Sequence, residues 1–170
     1  MLQYEPRNIS PQGKQNVFFA CHPEDFDKYF HNTFEDIRKF SNCVVWYNID
    51  ENDEDINTDL EKMNLFVIPI TTKLLTKSCR AMKIDIPYAR DRPIPILPLM
   101  QEDGLDELFT YHFGTRQYLA PNAHDETAIP YDEKLEKYLN SVLVGDELAE
   151  KVRAAFDTYI FLRRGINFIF

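Results

Sequence analysis

Leu65-Phe66-Val67-Ile68-Pro69-Ile70, then the polar span from Thr71 to Arg92, then Pro93-Ile94-Pro95-Ile96-Leu97-Pro98-Leu99-Met100: this stretch decides the fold. Two short apolar runs flank a segment long enough for a helix. That is the pattern of a parallel strand, its crossover and the next strand in a sheet covered on both faces. It predicts an α/β sheet. Working outward, Val17-Phe18-Phe19-Ala20 reads as an earlier buried strand, and Cys43 to Ile49, rich in Val, Trp and Tyr, as another. Gln117-Tyr118-Leu119 completes the set, so the predicted strands centre on Val17, Val44, Phe66, Ile94 and Tyr118.

Helix signals fall between these runs. Pro23 fixes φ for a first turn, and Glu24 and Asp25 there suit the positive end of the helix dipole. Phe26, Tyr29, Phe30, Phe34 and Ile37 then share one helical face. A short helix is expected from Asp59 to Met63, after the acidic run Asp50 to Asp55, and another from Leu105 to Phe113. Two amphipathic helices follow: one carries Leu135, Tyr138, Leu139 and Val142 and stops at Gly145; the other is capped by Asp146 and carries Leu148, Val152, Phe156 and Tyr159. The chain divides into an N-terminal extension (1–15), a main domain (16–130), C-terminal helices (131–158) and an apolar tail (159–170). Tyr159-Ile160-Phe161-Leu162 is similar in type to Val17-Phe18-Phe19-Ala20, and such a tail needs a cover: it packs on its own domain, pairs with another copy or opens a further domain, and the similarity favours the last slightly.

Composition narrows the function. The 170 residues suffice for one domain with a sizeable core, and 44% hydrophobic and 14% aromatic content excludes a disordered chain. A net charge of -9 and a pI near 4.9, with no basic face, argue against nucleic acid and anionic membrane as partners. Cys21, Cys43 and Cys79 are odd in number and unpaired in spacing, which excludes a disulfide framework or zinc knuckle and fits a cytoplasmic protein. Met1 to Gln15 show no basic and apolar signal pattern, and no run of about 18 apolar residues occurs in the sequence, so the chain is expected to stay unexported.

In open parallel sheets, ligands bind beyond the carboxyl ends of the strands, which here gathers Cys21, His22, Asn48, Thr71 and Thr72 around one crevice. His22, next to Pro23, can touch a phosphate or cap the helix. Trp46 can stack on a base or fill the core. GxGxxG, GxxxxGK[ST] and GxSxG are all absent, which removes the glycine phosphate cradles and the hydrolase elbow. Cys21 and His22 are adjacent at a strand end and point apart, so they make a poor nucleophile pair. His31, His112 and His124 lack metal-ligand spacing. A CheY-like phosphoacceptor needs acids where Cys21 and Thr71 stand.

Taken together, Val17-Phe18-Phe19-Ala20-Cys21-His22-Pro23-Glu24-Asp25, Val44-Val45-Trp46-Tyr47, Leu65 to Thr71 and Pro93 to Pro98 resemble a bacterial Toll/interleukin-1 receptor (TIR) homology domain, over about Asn16 to Ala120. The resemblance implies a flavodoxin-like three-layer fold with a central parallel sheet of about five strands. It also implies innate-immune or anti-phage signalling through assembly with other TIR domains, with no required cofactor and with NAD as ligand or substrate. Three departures stand out. Ala20-Cys21 replaces the family's Ser-Tyr pair at the end of the first strand, and Asp50 to Asp55 replaces its Arg-Asp-x-x-Pro-Gly loop. The family's catalytic Glu, four residues before an Ala, falls on Asp85 when counted from Ala89, with Cys79 upstream and Ser78 in place of Trp.

Breaking the nicotinamide-ribose bond creates an oxocarbenium-like cation that a carboxylate can stabilise. Asp85 keeps that charge but reaches about 1.5 Å less far than Glu, and a misplacement of about 1 Å can cost on the order of a hundredfold in rate. Its other role would be a solvated or capping carboxylate ahead of Pro87. The resemblance thus implies a signalling domain that binds NAD, or alternatively an active NAD glycohydrolase or cyclase. In either case Asp85 is expected nearest the ribose, with His22 and Thr72 nearer the phosphates.

Overall fold

Residues 2–48, 58–122 and 129–143 are described by the computed structural model. The acidic run Asp50 to Asp55, the helix expected after Asp146 and the tail 159–170 lie outside them.

Alternation at period two builds the centre. Strand β4 (Leu65–Ile70) is buried at all six positions. Its Leu65 and Val67 face one core, while Phe66, Ile68 and Ile70 face the other. The same split runs through β2 (Gln15–Phe19), where Val17 and Phe19 oppose Phe18, and through β5 (Ile96–Met100), where Leu97 and Leu99 oppose Met100. A sheet apolar on both faces needs a helical layer on each. The layer over Val17 and Val67 comes from α1 (Phe26–Phe40) and α5 (Tyr131–Val142) through Ile37, Leu135 and Leu139. The layer over Phe66 and Ile68 comes from α2 (Thr72–Thr76), α3 (Ile86–Asp91) and α4 (Asp106–Phe113) through Leu74, Ile86 and Phe109.

With β1 (Leu2–Glu5) and β3 (Cys43–Asn48), the sheet order is β1-β3-β2-β4-β5. The four strands β3, β2, β4 and β5 run parallel, and β1 lies antiparallel on β3. The expected three-layer, flavodoxin-like α/β fold is therefore the observed one, with the order reversing beside β2.

The elements depart from expectation in four places. Residues 2–5, within the presumptive extension, form the edge strand β1, secured by Tyr4 against Trp46 at 4.7 Å between ring centroids. The strand expected around Ile94 starts at Ile96, with Pro95 still lending its carbonyl to Phe66. The strand expected at Tyr118 is a single bridge, Leu119 to Leu99. There Leu119 donates to the Pro98 carbonyl and accepts from Met100, and Pro98 has no N–H with which to extend the ladder on that side. Finally, the span Thr71 to Arg92 is not one helix. After α2, Lys77 is extended, and the chain re-enters helix through a π turn at Ala81–Asp85 that runs into α3.

Candidate functional site

The six residues singled out from the sequence occupy the carboxyl end of the sheet in two groups. Cys21, Asn48 and Asp85 line one cavity of about 240 Å³, together with Phe18, Phe19, Ala20, Pro23, Phe26, Asp27 and Tyr47. Cys21 follows β2, Asn48 ends β3 and Asp85 closes the π turn beyond β4, so three crossovers meet there. The walls are aromatic for a local reason. Phe26 begins α1 with its ring 4.9 Å from Tyr47 and 6.1 Å from Phe19, on the same stripe that stacks Phe26 on Phe30 at 4.7 Å. Among the described residues, the lining acids are Asp27 and Asp85, and no Lys or Arg lines the space. Small-molecule sites typically measure about 300 to 1,000 Å³, so this one suits one end of a larger ligand.

Asp85 is 3% exposed, and its carboxylate lies 3.5 Å from Nε of Arg80, itself 5% exposed. Arg80 was not singled out in the sequence, because residues five apart do not share a face of an ordinary helix. The signal that could have found it is Pro87, whose effect on the preceding turn is taken up below.

His22, Thr71 and Thr72 form the second group, each held by a named partner. His22 Nδ1 accepts from the Glu24 backbone N–H at 3.1 Å, capping the turn Pro23–Asp25, so of its two sequence readings the helix cap is the one seen. Thr71 is fully buried. Its hydroxyl donates to Asp25 Oδ2 at 2.6 Å and accepts from Leu74 N–H at 3.1 Å, which caps α2. Thr72 donates its hydroxyl to Glu102 Oε1 at 2.6 Å and its N–H to Oε2 at 3.2 Å. Glu24 in turn lies 3.4 Å from Lys73 and 3.6 Å from Lys77, whose ammonium groups hold its carboxyl below the usual range, the hydrogen bond from Lys73 most strongly. Together these contacts clasp the loop after β2 to the start of α2. A phosphate at Thr72 would have to displace Glu102. Trp46 packs on Tyr4, donates to Asn16 Oδ1 at 3.0 Å and does not line the cavity.

No family model matches the chain, and no curated protein matches it. Among solved structures, a Burkholderia pseudomallei protein described as pilus assembly-related is similar over 80% of this chain and 94% of its own, at 16% identity and a TM-score of 0.47. The fold class stands on the sheet order and strand register given above.

No disulfide joins Cys21, Cys43 and Cys79; burial pushes the Cys43 thiol up to about 11, and Cys79 is also buried. Cys21, half-buried at the cavity, is the most accessible of the three. Among the described residues no helix is long and apolar enough to cross a membrane.

Proposed function

We propose that this chain is a TIR-like signalling domain of the cytoplasm that works by assembling with other TIR domains and binds NAD by its nicotinamide-ribose end in the cavity lined by Cys21, Asn48 and Asp85. The observation that carries the reading is the convergence of these three residues, 64 positions apart at their extremes, on one cavity at the carboxyl end of the sheet. The lining supports this orientation. Aromatic walls and the Asp27 carboxylate favour a cationic ring, and they disfavour a diphosphate, which stays outside. The adenine end would extend beyond the cavity mouth.

A second reading, cleavage of the bound NAD, is favoured by Asp85 itself. In that reaction the C–N bond breaks with its electron pair passing to the pyridinium nitrogen, which leaves neutral nicotinamide. Water adds its oxygen to the ribose carbon and loses a proton. Asp85 would stabilise the positive charge that develops on the ribose. The test is to incubate concentrated protein with NAD and measure both NAD retained on the protein and nicotinamide released. Retention or release that disappears in Asp85→Ala, with the circular dichroism spectrum unchanged, is the expected result. Release at the wild-type rate in Asp85→Ala removes Asp85 from the chemistry, and neither retention nor release in the wild type counts against NAD as the ligand.

A further inference from the structure

The turn that carries Asp85 is unusual, and its cause is written in the sequence. Residues 81–91 are continuously helical, yet Pro87 lies inside the run. A proline there offers no N–H to the carbonyl four residues back, and its ring crowds that carbonyl, which belongs to Lys83. The backbone answers by widening: Ile86 N–H bonds the Ala81 carbonyl five residues back, closing a π turn over Ala81–Asp85. In an ordinary α-helix, side chains five apart point about 140° away from each other. In the wider turn, five residues make nearly a full circuit, and the Arg80 guanidinium meets the Asp85 carboxylate.

We propose that this pair is a latch: Arg80, brought round by the π turn that Pro87 imposes, neutralises Asp85 and keeps its charge from the cavity it lines. The inference rests on the reading of that cavity as the site for the nicotinamide-ribose end of NAD, and it supplies that site with a regulatory contact. Arg80 does not line the cavity and acts through Asp85, so it is a positioning residue. The two side chains are almost wholly buried, where opposite charges at this distance interact strongly. A cationic ring entering the cavity meets a carboxylate whose charge is already answered. Any change that straightens the turn or draws Arg80 away leaves Asp85 without that cation, so that a cationic ring entering the cavity becomes the charge that keeps the buried carboxylate ionised.

The experiment uses the full chain and the 1-methylnicotinamide cation as probe, with binding followed by NMR line broadening. Arg80→Gln should bind the probe at least tenfold more tightly than the wild type, equivalent to about 1.4 kcal/mol. Arg80→Lys, which keeps the charge, should bind like the wild type, and adding Asp85→Asn to Arg80→Gln should cancel the gain. A purely structural arginine would give no such charge-dependent pattern. Pro87→Ala, which leaves both ionic groups in place, should also bind more tightly and serves if Arg80→Gln does not fold. Binding in either folded variant that equals or falls below that of the wild type overturns the latch. The underlying reading fails separately: NAD cleavage or retention undiminished in Asp85→Ala would move the NAD site elsewhere, whatever the Arg80 series shows.

Discussion

The cavity over β2 and β3 and the clasp over β4 lie side by side at the same end of the same sheet, and they use their polar residues in opposite ways. In the clasp, Thr71, Thr72 and His22 are committed to Asp25, Glu102 and the Glu24 N–H. At the cavity, Cys21, Asn48 and Asp85 line a space walled by Phe19, Phe26 and Tyr47, with Asp85 also paired to Arg80. The strand-end rule gathers Cys21 and Asn48 with the clasp residues without distinguishing them. What separates them is that the clasp residues tie the loop after β2 to α2, while the others line a cavity.

The contrast breaks most visibly if a clasp residue can be emptied without cost. Thr71→Val removes the hydroxyl donated to the buried Asp25 carboxylate and the cap on α2, and it should destabilise the fold by about 3 kcal/mol in urea unfolding. Asn48→Ala, at the cavity, should cost under about 1 kcal/mol by the same measurement. Equal losses at both positions would erase the distinction.

Thiol chemistry sharpens it next. Raising a thiol from 9.0 to about 11, as burial does for Cys43, lowers its thiolate fraction near pH 8 on the order of a hundredfold. Iodoacetamide should therefore mark Cys21 alone in the folded protein, with Cys43 and Cys79 reacting only in denaturant, as read by peptide mass spectrometry. A smaller effect is expected from Thr72→Val, which removes the exposed hydroxyl bond to Glu102 and should cost about 0.5 kcal/mol.

The smallest effect concerns pH. Lys73 and Lys77 hold the Glu24 carboxyl below its unfolded value, so its contribution to stability is present above the ordinary carboxylate range and is lost as pH falls through the depressed value. Because Glu24 is exposed, Glu24→Gln should only flatten the acid side of the stability profile slightly, below the ordinary carboxylate range. An unchanged profile would show that the lysine contacts at the clasp have no energetic weight.

Much of this architecture was legible in the residues. The runs at Val17, Val44 and Leu65 are apolar at every position because both sheet faces are covered, and that pattern depends on no distant partner. β1 was not legible: Leu2 and Tyr4 alternate with polar residues over only four positions, and the strand exists because β3 offers an edge and Trp46 a ring to pack on. The strand expected at Tyr118 is reduced to one bridge because Pro98 withholds a donor from it. In the site, position along the sheet pointed to Cys21 and Asn48 and the family resemblance to Asp85, while Glu102 and Asp25, which occupy Thr72 and Thr71, arrive from other crossovers and leave no local mark. Arg80 was hidden by the assumption of a regular helix, which Pro87 contradicts.

The central claim is that NAD enters the cavity shared by Cys21, Asn48 and Asp85, and the accessible thiol offers a direct probe of it. The rate of Cys21 alkylation by iodoacetamide should fall severalfold as NAD is raised, and AMP, which lacks the nicotinamide ribose, should leave the rate unchanged. A Cys21 rate indifferent to NAD, or slowed equally by AMP, would contradict the account.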